Sequence, residues 1–368
     1  MSSLMSGSTQ TYKQLASKYA DFLVPAVRIK IGQTAYSSVT GKETKKGSSL
    51  VITAAEANLC HSEGSSVSVT IEDVYDLKGS RFKSVASLGE KFSMEIGYGS
   101  SFCEIFQGYV GEITSDFSGA KQSVRITGFD AVALMRLHQV SRFFMKKKYS
   151  DIVREIIGRY SGILSTGNVE STGEEVQDYI SGRTLDDYTY LSDVICPMAG
   201  KEFFIFDGKG YFQPISKRNK TPSVELKLGK GLNDFRMTEA YANLEIAVRG
   251  ITGAQGDKPF ESKAKGKADF SQKTVGSGAQ TQYIQWTDTP DKGTAGNYAK
   301  FMLDRQIAAR QRAEGYCIGI PEIIPGRCLR IKGIRPELDS RKFWVDSVLH
   351  RIGKNGFSTE FFIKGWED

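Results

Sequence analysis

A period of two in hydrophobicity dominates the first third of the chain and restricts it to short, half-buried β-strands. Val27, Ile29 and Ile31 alternate with other residues, as do Val67, Val69 and Ile71, then Phe92, Met94 and Ile96, then Val124 and Ile126. Successive side chains of an extended chain point to opposite faces, so each set lines one face of a sheet. Turn-forming residues separate the sets at 63–66, 97–101 and 118–119, which predicts an antiparallel sheet or barrel. The glycines of 97–101 are expected to supply turn conformations between strands at 92–96 and 102–107. Residues 1–20, rich in Ser, Thr and Lys with few large apolar groups, read as a flexible N-terminal tail.

The period changes near residue 130. Asp130 can cap a short helix through Leu137, and Ser150 can cap a second whose apolar positions Ile152, Val153, Ile156, Ile157 and Tyr160 share one face. A third helix, opened by Asp186 or Asp187, carries Tyr188, Leu191, Ile195 and Met198 and is closed by Pro197 and Gly200. A hairpin follows, with Phe203 to Phe206 and Tyr211 to Phe212 flanking a turn over residues 207–210. A small α/β unit thus interrupts all-β segments. Strand-like sequence returns at 223–228, 244–248, 329–331, 342–349 and 358–364. Between them lie a lysine-rich stretch at 254–282, read as a long loop, and a helix at 295–313. That helix buries Ala295, Tyr298, Ala299, Met302 and Leu303 and ends on Arg310 and Arg312, which suit its dipole.

Catalytic signatures are scarce. The GYGSSF segment starting at Gly97 fails the GxGxxG pattern at its sixth position and runs into strand rather than helix, and no GxxxxGK[ST] occurs. His61, His138 and His350 lie far apart with no cysteine at ligand spacing, so neither a metal nor a cofactor is expected. Each histidine reads as a surface or strand residue. No GxSxG elbow marks a nucleophile, and the acid pairs 174–175 and 186–187 fit a turn and a helix start. Five scattered cysteines, none in a CxxC pair, read as free thiols. Lys and Arg (49) exceed Asp and Glu (42) only modestly, and the run Lys146–Lys148 reads as a solvated connector, so nucleic-acid binding is not expected. No apolar run approaches membrane-spanning length, and no direct membrane insertion is expected.

Seven segments, in order, resemble the central hub of contractile-tail baseplates, the family that groups phage late control protein D with the base of VgrG. They are residues 63–76; 92–98 leading into 104–113, with Gly97, Tyr98, Phe106 and Gly108; 124–130, a strand ending in Gly128 and Asp130; 149–156; 185–194; 200–214; and 321–333, with Pro321, Pro325 and Gly326. The resemblance implies a mainly β protein with two tube-like antiparallel β-barrels, at 21–145 and 217–368, and an α/β insert at 146–216 whose core is Ile152, Ile156, Tyr188, Leu191 and Phe204. Its implied role is structural: a homotrimer that adapts the hexameric tail tube to the trimeric spike, with baseplate wedge proteins as further partners. The chain ends after Asp368 without the needle of VgrG, which places it nearer the standalone phage-type hubs. The implied setting is a particle assembled in the bacterial cytoplasm, as a phage virion, an R-type bacteriocin or a related injection system. The competing reading is a tail-associated peptidoglycan hydrolase.

Overall fold

The computed structural model describes residues 4–38, 51–76, 78–79, 81–117, 122–140, 143–144, 146–173, 179–180, 185–240, 244–252, 258–266, 280–285 and 292–367. Helix α1 (Tyr12–Lys18) opens the chain, and six strands follow: β1 (Pro25–Ile31), β2 (Val51–Cys60), β3 (Ser66–Glu72), β4 (Lys91–Tyr98), β5 (Ser101–Asp116) and β6 (Ser123–Phe129). They pair antiparallel in the order β2-β3-β6-β5-β4-β1, and a short edge strand, Thr34–Ser37, lies beyond β1. The alternating residues of the sequence form the buried face: Val27, Ile29, Ile31, Val67, Val69, Ile71, Phe92, Met94, Ile96, Val124 and Ile126 belong to one core.

The α/β unit contains α2 (Ala131–Leu137), α3 (Tyr149–Arg159) and β7 (Ser165–Val169). After these come a helical segment in three parts and the hairpin of β8 (Glu202–Phe206) and β9 (Lys209–Gln213). The three parts are α4 (Asp187–Thr189), a π-helical stretch (Tyr190–Ile195) and α5 (Cys196–Ala199). Asp186 caps the start by accepting from Thr189 N, and Gly200 ends it at φ 61°. Asp130 caps α2 as its sequence position suggests. Ser150 does not cap α3, whose N-cap is Lys148. Ser150 lies buried one residue inside the helix and exchanges hydrogen bonds with Thr172, each hydroxyl accepting from the other residue's backbone N–H. A buried hydroxyl needs a partner, and Thr172 supplies it.

The remaining strands are β10 (Val224–Leu228), β11 (Gly231–Glu239), β12 (Leu244–Thr252), β13 (Lys258–Lys265), β14 (Gln280–Gln285), β15 (Gln311–Ile318), β16 (Cys328–Lys332), β17 (Lys342–Gly353) and β18 (Gly356–Glu367), with α6 (Lys292–Ala308) before β15. Six of them close a ring: β10-β11-β15-β18-β17-β16 and back to β10. The fold is thus mainly β with a closed barrel. Strand β17 belongs to both halves of the molecule, because Ser347–Ile352 also pairs with Ala55–Cys60 of β2. Register shifts between residues 343 and 347 bend β17 where it leaves β16 for β2.

Four sequence expectations are corrected. Residues 4–20 are not a free tail: Thr11 and Gln14 form a capping box on α1, Gln10 and Thr11 pair with β10, and Leu15 and Tyr19, four residues apart on one helix face, are buried in the core. The lysine-rich stretch is strand where it is described. β13 runs antiparallel to β12, and Lys263 is paired with Glu245 and Glu261 on the outer face while Phe260 and Ala264 pack inward. Its other residues, 254–257 and 267–279, lie outside the described set. Helix α6 stops at Ala308, so Arg310 sits in a turn and Arg312 in β15, leaving Arg305 as the cation of the last turn. The α6 face of Ala295, Ala299 and Leu303 packs on Leu244, Ile246 and Val248 in a separate small core. Finally, Phe204 leaves the insert core. All of β8 is buried on both faces, and its period of two sends Phe203 and Ile205 to the helices but Phe204 and Phe206 to the barrel core.

Candidate functional site

The described residues that concentrate buried polar chemistry surround one connection, residues 319–327 between β15 and β16. Ile320, Ile323, Ile324 and Arg327 are 0% exposed, and Glu322 is nearly so. Pro321, Pro325 and Gly326 are buried in the same run. Gly326 takes φ 78°, donates to Val345 O at 3.0 Å and lies against His61 and Phe204. Loops are normally solvated because their backbone groups need partners, so a buried connection must find them inside the protein.

Side chains from every part of the chain supply those partners. Tyr98 of β4 donates to Gly319 O at 2.9 Å, with its ring against Phe357 and Tyr19. Glu322 Oε1 accepts from Lys18 Nζ at 2.6 Å and from Tyr19 Oη at 2.8 Å, pinning α1. Burial first, then Glu322 nearby, push the Tyr19 phenol strongly upward in pKa, so it stays a donor. Arg327 donates to the carbonyls of Leu4, Gly7 and Thr221. On the other side, His61 stacks on Phe204 at 4.3 Å and lies 3.6 Å from Glu202, which makes a bidentate pair with Arg218; Arg218 in turn covers the Trp344 ring. Tyr188 donates to Ser62 O at 2.7 Å, joining the insert to the first sheet.

His350 is fully buried, with Nδ1 2.8 Å from Thr359 Oγ1 and Nε2 3.2 Å from Ile323 O. Burial lowers its pKa to about 3, and burial likewise lowers that of His61 to about 4, the Glu202 carboxylate opposing. His350 is a strand histidine, one of the two alternatives the sequence suggested, and His61 lies just past the end of β2; both are buried rather than at the surface. A lowered base pKa means that the unfolded chain binds more protons between about pH 6.5 and 3. The stability held above pH 6.5 is therefore lost as pH falls. Asp130 and Asp207, pushed up to about 6 and about 7 chiefly by burial, act the other way as pH rises. A comparison with His350→Asn cancels their effect. The loss of unfolding free energy from pH 7 to pH 4 should be smaller in the variant by about 3 kcal/mol, the penalty of an imidazole that cannot charge. Equal losses in urea titrations of the two proteins would refute that role for His350.

The hairpin and strand residues singled out in the sequence form a second cluster. Gly97 and Gly108 do not serve positive φ, which in this hairpin belongs to Gly99 at 53°. They serve close approach: a Cβ on Gly97 would lie 1.9 Å from Ser101 O, and one on Gly108 would lie 2.1 Å from Phe129 O. Gly128 makes room for the Phe92 ring, which stands edge-on to Phe106 at 6.2 Å. Asp130 accepts from Ser65 N at 2.7 Å and Val132 N at 2.9 Å, joining the turn before β3 to α2. Ile152, Ile156, Tyr188 and Leu191 share the insert core. The polar junction of Tyr19, His61, Glu202, Arg218, Glu322 and Arg327 was missed by sequence reasoning. A usable signal existed in charged residues set within the apolar run 318–331.

Among the described residues no group of three or more His, Cys, Asp or Glu side chains is placed to hold a metal ion. The five cysteines are free. No helix among the described residues is long and apolar enough to cross a membrane.

Solved structures share this architecture. The 43 kDa tail protein of prophage MuSo2 from Shewanella oneidensis aligns over 92% of this chain and 98% of its own length, with a TM-score of 0.65 at 15% identity. A tail protein from Neisseria meningitidis MC58 aligns over 93% and 97%, with a TM-score of 0.64 at 11% identity. The E. coli c3393 protein, described as a type VI secretion system component similar in structure to the T4 bacteriophage tail proteins gp27 and gp5, covers 92% of this chain and 77% of its own, with a TM-score of 0.55 at 10% identity. The fold is therefore one found in phage tail proteins. No curated protein matches the chain in sequence. Residues 81–354 match the family model described as the Alg8 N-terminal domain, and the chain belongs to that family.

Proposed function

We propose that this protein is the central hub of a contractile-tail baseplate: a non-enzymatic homotrimer that joins the hexameric tail tube to a trimeric spike, with wedge proteins around it. The observation that carries this reading is the near end-to-end likeness of fold to the Shewanella prophage tail protein. The internal organisation supports it. Among the described residues each chain has a closed six-stranded barrel and a second, antiparallel sheet of six strands with Thr34–Ser37 at its edge, joined to the barrel through β17. Three such chains present six β-units around one axis, which suits a sixfold tube on one face and a threefold spike on the other. Among the described residues Thr34–Ser37 ends the first sheet, and in a trimer a neighbouring subunit's strand would extend that sheet. The same reading makes the protein a component of a phage or phage-tail-like particle assembled in bacterial cytoplasm, a hub of the late control protein D type.

Light scattering coupled to gel filtration tests this directly. The 40.6 kDa chain, alone or mixed with its spike, is expected to run as a trimer. A stable monomer in the presence of spike and tube proteins would count decisively against a hub. Peptidoglycan zymography with the purified chain should show no cleared band, and a cleared band would restore the hydrolase reading.

A further inference from the structure

Ala20, Asp21 and Phe22, which join α1 to β1, take φ of 47°, 54° and 60° in succession. A residue with a Cβ enters that left-handed region rarely, Asp more readily than Ala or Phe, and a run of three is disfavoured at each step. Such strain persists only where surrounding contacts impose it. Here the contacts belong to the arm before the turn, residues 4–19. Gln10 and Thr11 lie along Val224 and Glu225 of β10, next to the stretch 227–228 that pairs with β11. Leu15 is 0% exposed, Glu322 holds Lys18 and Tyr19, and Asn219 donates to Met5 O at 3.1 Å. Leu23 and Val24, directly after the turn, are 77% and 57% exposed.

The arm's contacts would be the same if it came from another copy of the chain; only the strained turn requires arm and barrel to be one polypeptide. We propose that residues 4–19 are exchanged between neighbouring copies in the oligomer, each arm seating on the next subunit's barrel at the site its own arm fills in the single chain. Opening at Ala20 and Asp21 returns the hinge to extended backbone and releases its strain, while the arm keeps its hydrogen bonds and its buried face. Strain in a short hinge favours exchange of an element between identical protomers. Phe22 stays against Tyr98, with ring centroids 5.3 Å apart, and meets the incoming Tyr12 and Tyr19 in place of its own. Leu23 and Val24 are covered where the hinges of neighbouring chains pass. Residues 20–24, fully extended, reach at most about 17 Å, so the neighbour's site must lie within that span. The inference rests on the homotrimer proposed above, and the two fail separately.

Two variants of the full chain test the exchange. Asp21→Pro fixes φ near −65° and drives the preceding residue toward extended backbone, so it forbids the closed turn and suits the opened one. With exchanged arms, light scattering gives the parental mass, and trypsin cuts the assembled variant after Lys13 and Lys18 within about twofold of the parental rate. Cleavage at least about tenfold faster means that each arm folds back on its own chain, which overturns the proposal. The double variant Thr11→Cys, Glu225→Cys places thiols at opposed positions of the arm and β10. After mild oxidation, exchange predicts covalent dimers and trimers on a non-reducing gel. Each single variant sets the background from Cys60 and Cys103, the partly exposed native thiols. A disulfide confined to single chains, in a particle that scatters as a trimer, overturns the exchange and leaves the hub reading standing. A parent that stays monomeric with spike and tube proteins present overturns both.

Discussion

Gly108→Val is expected to leave no cooperative native state at 25 °C, with Gly97→Val close behind. At position 108 the added Cβ would lie 2.1 Å from the carbonyl oxygen of Phe129 and 2.7 Å from the tip of the Phe106 ring; at position 97 it would lie 1.9 Å from Ser101 O. The obstacles are backbone atoms of paired strands, which cannot rotate aside as a side-chain end can. Relief requires β5 to separate from β6, or β4 from β5, at positions that the register fixes on both sides. Such overpacking against backbone belongs with the largest single-site effects, on the order of 4–5 kcal/mol or more. Gly158→Ala is the internal control: a Cβ there meets nothing within 4 Å, and the residue lies in the last turn of α3. It should raise stability by about 0.5–1 kcal/mol. Soluble yield and thermal melts followed by circular dichroism read both outcomes. A Gly108→Val protein melting within a few degrees of the parent would show that the strands yield more easily than their contacts imply.

This contrast also shows what was legible in the sequence. The alternation at 27–31, 67–71, 92–96 and 124–126 identified strands and their buried faces because period two is a local property, and the caps at Asp130 and Asp186 are local as well. The Gly97 hairpin was found for a reason that is only partly right, since turn glycines and close-approach glycines look alike in one dimension. Burial of both faces was not legible: Phe204 reads as part of a helix-covered hairpin, and only the docking of β8 against the barrel turns it the other way. The N-terminal segment was hardest. Composition suggested a solvated tail, whereas its order comes from contacts with residues about three hundred positions later, such as Tyr19 with Glu322 and the Leu4 carbonyl with Arg327.

Arg327→Met tests whether that distant contact is what orders the N-terminus. The arginine is 0% exposed and is held by carbonyls rather than carboxylates, and burial pulls its pKa downward. Methionine approximates the stem and relieves the cost of a buried cation, so the barrel should still close. The carbonyls of Leu4, Gly7 and Thr221 would then lose their donor, at about 1–3 kcal/mol each where water cannot replace it. Lifting residues 4–11 away exposes those carbonyls to water, and it also removes Gln10 and Thr11 from the edge of β10 and loosens α1. The expected phenotype is therefore local. Trypsin should cut after Lys13 and Lys18 at least about tenfold faster than in the parent, corresponding to about 1.4 kcal/mol in the opening equilibrium, while the urea transition of the remaining β-structure moves less. Cleavage at the parental rate would mean that Leu15 and Tyr19, buried in the core, hold the segment without the arginine.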